Sequence, residues 1–170
     1  AFDHELSRTR TVTREPMLAR IRLEWWREAV AEAAGEGKPR AQPVVESLSE
    51  IVRRHGLPQQ RMIDLIDARE EEIEGALDVV AAGHALADLQ VGVLGIGDEA
   101  TCQAARAVGS AWLMGEGPER AALLAEARSR QARIDARALP ILLPARLLDR
   151  HWAPWQRPLV LWWMARRRRY

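Results

Sequence analysis

The sequence predicts an all-α protein, and three observations carry that expectation. Apolar residues recur at spacings of three and four in several separate stretches. No stretch alternates apolar and polar residues as a half-buried strand would, and proline, glycine and aspartate stand where helices start and stop. No internal repeat with a period of roughly 20–50 residues is evident. A chain of 170 residues fits one domain over 1–170, built from about eight helices around one core.

Residues 1–10 hold Phe2 and Leu6 among polar groups, which suits the last turns of a helix begun upstream. A start at Ala1 without Met implies preceding residues. Pro16 suits the first turn of the next helix, where its missing N–H costs nothing. Glycine and proline in Gly35-Glu36-Gly37-Lys38-Pro39 stop that helix. Along it Met17, Leu18, Ile21, Trp25, Trp26, Ala29 and Ala33 share about half of the circumference at 100° per residue. Arg22 lies inside that arc, so its guanidinium is expected to point inward and to need an anionic partner.

Pro43 to about His55 reads as a helix with Val44, Leu48, Ile51 and Val52 on one face, closed by Gly56-Leu57-Pro58. The next, from near Pro58, carries Met62, Leu65, Ile66, Ile73, Ala76 and Leu77 in one stripe. Its other side holds Asp67, Glu70, Glu71 and Glu74, which repel one another unless a cation or an arginine sits between them. From Asp78 to Gly97 alanine, glycine and leucine dominate, a density of small residues that implies close helix contact. Asp98 is a good N-cap for a helix through Ala104, Ala105, Val108 and Trp112 to about Met114. Glu119 to about Arg137 is expected to be one helix. A kinked apolar junction at Leu139–Pro144 leads to a short helix near Asp149, and the stretch from Leu159 to Met164 forms the last helix, followed by Ala165, Arg166, Arg167, Arg168, Arg169 and Tyr170.

Composition excludes several classes. Lys and Arg number 25 against 24 Asp and Glu, a net charge of +1, so no nucleic-acid partner is indicated. The one cysteine, Cys102, rules out an internal disulfide framework, and no Cys and His cluster suggests a metal centre. A reducing, cytoplasmic setting is the expectation. No segment reaches the roughly 18 uninterrupted apolar residues of a membrane span, and the N-terminus lacks the charged start and apolar core of a signal peptide.

The candidate residues each leave two readings open. Arg22 offers a planar fork to a phosphate in a central cavity, or pairs with an inward carboxylate such as Glu5. Asp67, Glu70, Glu71 and Glu74 suit Mg²⁺, or form a solvated face. His84 is an acid or base, or a hydrogen-bonded packing residue. Gly92, Gly95 and Gly97 form no phosphate loop, because no strand precedes them and no Lys-Ser or Lys-Thr follows. Trp162 and Trp163 with Arg166, Arg167, Arg168 and Arg169 suit contact with an anionic membrane or a partner, or a packed terminal helix with a basic tail.

Several stretches in order resemble the squalene and phytoene synthase family. They are Ala1-Phe2-Asp3-His4-Glu5, Glu15-Pro16-Met17-Leu18 leading into Ile21-Arg22-Leu23-Glu24-Trp25-Trp26-Arg27-Glu28-Ala29, then Leu65–Arg69, Ala107–Trp112 and Ala138–Pro144. The Arg-Leu-x-Trp-Trp-Arg run is the most specific. The resemblance implies the isoprenoid synthase fold, a helical bundle around a deep central cavity. It also implies head-to-head condensation of prenyl diphosphates, held through Mg²⁺ on two facing aspartate-rich motifs, if the protein is catalytically active.

The sequence departs from that pattern twice. Phe2-Asp3-His4-Glu5-Leu6-Ser7-Arg8 stands where paired aspartates are expected, and Trp112-Leu113-Met114 runs into Gly115-Glu116-Gly117 where the second motif belongs. Longer family connections at 77/78 and at 114/115 imply further segments there. The residues left to hold a diphosphate are Arg22, Arg8 and Arg69. The pattern is closer to a branch with eroded aspartate motifs, which includes a mitochondrial protein assisting assembly of respiratory complex I at the inner membrane. The expectation is a binding or assembly role peripheral to the inner membrane, with prenyl transfer as the alternative.

Overall fold

Proline, glycine, aspartate and glutamine set the helix ends close to where the sequence puts them. The protein is described by a computed structural model covering residues 1–12, 15–35, 38–148 and 152–167. Among the described residues there is no strand, and the chain divides into two compact units, Ala1–Asp78 and Val79–Tyr170. The boundary falls at the junction where the family resemblance implies a longer connection.

The first unit holds α1 (Phe2–Val12), α2 (Pro16–Ala34), α3 (Pro43–His55) and α4 (Gln59–Glu74). Pro16 and Pro43 stand in first turns. The Gln42 side chain accepts the Val45 N–H at 2.8 Å and caps α3. Gly56 ends α3 in the left-handed conformation, φ 61°, with its N–H donated to the Val52 carbonyl at 2.8 Å, a backbone state that glycine reaches without a Cβ clash. α2 packs on α3 and α4. Leu23, Val30, Val45, Met62, Leu65 and Ile66 are all fully buried, and α1 adds Leu6 to the buried set.

The face of α2 differs from the expectation. Ala19, Leu23, Trp26, Ala29, Val30 and Ala33 are buried, whereas Met17, Leu18, Ile21 and Trp25 are 74, 46, 59 and 37 % exposed. Arg22 is exposed with them. The apolar arc of α2 is wider than the surface its neighbours cover, and the side with small residues at 19, 29 and 33 permits closer approach. Among the described residues the buried arginine of this unit is Arg69 on α4, whose side chain is 7 % exposed.

The second unit contains α5 (Val79–Val93), α6 (Glu99–Leu113), α7 (Pro118–Ser129), 3-10 turns at Gln131–Arg133 and Ala136–Ala138, α8 (Leu139–Leu142), α9 (Ala145–Leu148) and α10 (Gln156–Arg167). Asp98 caps α6 as expected, accepting the Thr101 N–H at 2.8 Å. The close contact expected from the small residues is between α5 and α6. A Cβ on Gly83 would fall on the backbone N and Cα of Ser110, and one on Gly109 would fall on the Gly83 carbonyl oxygen. Around this crossing Ala87, Val91, Ala104, Ala107, Val108 and Ala111 form a core that α7, α8 and α9 complete through Leu124, Leu142 and Ala145. Arg106 on α6 makes a two-pronged pair with Asp88 on α5, at 2.8 and 2.9 Å.

The helix expected to reach Arg137 stops at Ser129. The Ser129 hydroxyl donates back to the Glu126 carbonyl at 2.7 Å, and so does the Arg130 guanidinium at 3.0 Å. The Asp135 N–H then donates to the buried Thr101 hydroxyl at 2.9 Å, drawing the chain onto α6. These are tertiary and side-chain interactions with no glycine or proline to announce them.

Candidate functional site

α2 presents Arg22, Trp25 and Trp26 to an open cleft of about 240 Å³, with Glu5 of α1 and Gln42 at the start of α3 completing its wall. Trp26 is 5 % exposed. It meets Phe2 edge-on at 5.5 Å and Trp25 edge-on at 4.9 Å, the geometry that ring quadrupoles favour. Arg40 lies 4.6 Å over the Trp25 ring and bonds Glu32 at 2.6 Å and Glu28 at 3.3 Å. The hydrogen bonds and charge of Glu32, then of Glu28, hold the Arg40 pKa above the ordinary arginine value. Trp25 is thus braced from the solvent side by a cation fixed in place.

Arg22 faces this cleft with no hydrogen bond or ion pair among the described residues. Glu5 lines the same cleft but pairs with Arg8 at 3.5 Å, so the expected Arg22–Glu5 bridge is not formed. The other two arginines proposed for a diphosphate have carboxylates already. Arg8 holds Glu5, and Arg69 holds Asp3 at 2.8 Å and Glu72 at 3.2 Å. Burial alone would lower the Arg69 pKa, but the hydrogen bond and charge of Asp3, followed by those of Glu72, raise it above the usual value. The Asp3–Arg69 pair ties α1 to α4.

The acidic face of α4 has the arginine that its spacing demanded. Arg27 of α2 bonds Asp67 and Glu70 together, at 2.5 Å each, and Arg20 pairs with Glu74. Burial pulls the Arg27 pKa down, while the hydrogen bonds and charges of Asp67 and Glu70 overcome it and raise it. Glu71 is exposed. The four carboxylates do not converge: no group of three or more His, Cys, Asp or Glu able to hold a metal ion occurs among the described residues. Arg27 thus stands between Asp67 and Glu70, two of the four carboxylates that the sequence offered to magnesium. On α1, the residue four after Asp3 is Ser7, whose hydroxyl donates to the His4 carbonyl at 2.9 Å. This donor set does not fit magnesium held between facing aspartates.

The second unit has its own cleft of about 270 Å³, lined by Leu86, Val108, Gly109, Trp112, Ile141 and Pro144. It offers apolar surface with the Gln90 carboxamide beside it, and no charged group among the described residues. Trp162 and Trp163, on α10, are 63 and 46 % exposed, and the Arg166 guanidinium lies 5.8 Å from the Trp162 ring centre. The Arg167 side chain, Arg168 and Arg169 lie outside the described residues.

Sequence reasoning missed Arg27, Arg40 and Gln42. Arg27 was visible within the Arg-Leu-x-Trp-Trp-Arg run and could have been matched to the acidic face. Glu28 and Glu32, at i and i+4 on α2, were the available signal for Arg40.

Residues 1–114 of the 170 match the family described as squalene/phytoene synthase. The chain belongs to that family. Its all-α architecture is the isoprenoid synthase-like one of the squalene/phytoene synthases. Among curated proteins it is similar to "NADH dehydrogenase (ubiquinone) complex I, assembly factor 6" of Rattus norvegicus, 31 % identical over 74 residues, which covers 44 % of this chain and 22 % of that protein. The proteins of the same name from Bos taurus and Mus musculus are 30 and 28 % identical over 74 residues, again 44 % of this chain and 22 % of each relative. The matched stretch thus spans about a fifth of these relatives. No solved structure matches the chain.

Proposed function

We propose that this family member is a binding protein of the assembly type, working at the surface of the inner membrane rather than transferring prenyl groups. The observation that carries the reading is the engagement of its acidic residues. Asp3 is bound to Arg69, and Asp67 and Glu70 are bound to Arg27, so the first expected motif on α1 and the acidic candidate face of α4 both present neutralised pairs. A diphosphate carries several negative charges and needs matching cations. Among the described residues the unit-one cleft offers it one unpaired guanidinium, that of Arg22.

The relatives named as assembly factors of NADH dehydrogenase complex I give the partner class. By that likeness the partner is a component of the same respiratory complex, met from the membrane surface. No helix among the described residues is long and apolar enough to cross a membrane, and a peripheral attachment accords with that. Magnesium-dependent prenyl transfer is the competing reading, and family membership is what favours it.

Two measurements together decide between them. Purified protein is incubated with farnesyl or geranylgeranyl diphosphate, with and without Mg²⁺, and products are followed by mass spectrometry; none is expected. The gene is also deleted in the organism that encodes it, and assembled complex I is quantified on native gels, with loss expected. Head-to-head prenyl product in the first experiment, or intact complex in the second, overturns the proposal.

A further inference from the structure

α10 carries apolar residues on two sides. Its inner side holds Met164, 3 % exposed, with Val160 and Leu161 half-buried. Its outer side displays Leu159 at 59 %, Trp162 at 63 % and Trp163 at 46 %. At 100° per residue these three and Arg166 fall within an arc of about 100°. Trp155, in the turn that enters the helix, is 69 % exposed. The turn is held by the Ala153 N–H on the Gln156 side chain at 3.0 Å and by the Trp152 indole N–H on the Arg146 carbonyl at 2.9 Å. A helix already seated by one apolar side has no packing need for a second, and a clustered exposed patch of this kind marks a contact surface.

Charge narrows what the surface meets. From Arg150 to Tyr170 the sequence has six arginines and no aspartate or glutamate, so an anionic surface is attracted without internal competition. Residue type narrows it further. The exposed bulk is mainly indole, which combines an apolar body with an N–H donor and settles at the headgroup level of a bilayer, and arginine beside it reaches lipid phosphates. Arg166, placed over the Trp162 ring, joins the two functions in one spot.

We propose that α10 is an interfacial anchor that lies flat on an anionic bilayer, with Leu159, Trp162 and Trp163 in the headgroup boundary and Arg166 on lipid phosphate. This deepens the membrane part of the function proposed above and rests on it. The vesicle test below contains no respiratory complex, so its failure is distinguishable from a failure of the assembly role.

The 170-residue protein is sedimented with vesicles of phosphatidylcholine alone and of an equal mixture of phosphatidylcholine and phosphatidylglycerol, in low and high salt. Binding to the mixed vesicles only, weakened by salt, is expected. Trp162→Ser should lower affinity at least roughly tenfold, and Arg166→Gln on the order of fivefold. Leu159→Ser serves as a second apolar variant, and unchanged far-UV circular dichroism confirms that each variant is folded. Absence of binding to both vesicle types, equal binding to both, or undiminished binding by folded Trp162→Ser and Leu159→Ser proteins overturns the proposal. Sedimentation velocity without lipid is run alongside: a dimer abolished by Trp162→Ser assigns the patch to a second copy of the chain and overturns it too.

Discussion

Replacing Gly83 by alanine sets two physical effects of opposite sign against each other. In a helix interior alanine is favoured over glycine by about 1 kcal/mol, so an uncrowded Gly83 would yield a more stable protein. The structure says otherwise. The new methyl would land on the N and Cα of Ser110 and within 2.7 Å of the Gly109 carbonyl carbon. These are backbone atoms, which cannot rotate aside as a side chain can. α5 and α6 must therefore part by about an ångström, loosening contacts over Ala87, Val91, Ala104 and Val108. Overpacking of this kind costs about 3 kcal/mol at the upper end of its usual range. Less the propensity gain, the net loss is about 2 kcal/mol, and the melting temperature falls by roughly 4–8 °C for a chain of this size. Thermal unfolding followed by circular dichroism at the helix band measures it. Gly97→Ala is the control, since nothing lies within 4 Å of its Cβ position, and it should leave the melting temperature unchanged. A Gly83→Ala protein that melts at or above the wild-type temperature refutes the close crossing of α5 and α6.

The adjacent tryptophans of α2 should respond unequally in urea unfolding. Trp26→Ala, at a site 5 % exposed, costs about 3–5 kcal/mol, while Trp25→Ala, at 37 % exposed and covered by Arg40, costs about 1 kcal/mol. The Asp135 carboxyl is held below its ordinary value of 3.8 by the hydrogen bond from the Arg137 side chain, then by the Arg137 backbone N–H. A lowered carboxyl pKa contributes stability that is complete above the unfolded value and lost as pH falls through the lower folded one. NMR titration should show Asp135 ionising below 3.8, and Arg137→Gln should move it back upward.

The helix boundaries were readable because single residues announce them. Pro16, Pro43, Gly56 and Asp98 each act through their own backbone or side chain, and α3 spans Pro43–His55 as expected. The crossing at Gly83 was readable as a density of small residues. What escaped was information held between segments. Periodicity reveals that the apolar arc of α2 is wide, but not which edge of it a neighbour covers. Arg22 was therefore placed inward when Arg69 is the buried cation. The end of α7 at Ser129 escaped for a similar reason, because Thr101, some thirty residues earlier, draws Asp135 onto α6. At the candidate site, the spacing of four carboxylates on α4 showed that they repel one another, and Arg27 meets two of them, Asp67 and Glu70. Spacing alone could not choose between a metal ion and Arg27, which stands on another helix.

Gln42 gives the first unit's cleft a preference that its shape does not. Its carbonyl oxygen is committed to the Val45 amide, so a visitor there finds the NH₂ end of the carboxamide beside the Arg22 guanidinium, both of them donors. Any molecule that instead sought the oxygen would have to unfasten the first turn of α3, forfeiting about 1 kcal/mol of capping. Amide exchange at Val45 therefore reports occupancy: visitors rich in acceptors leave it slow, and those that compete for the cap make it fast.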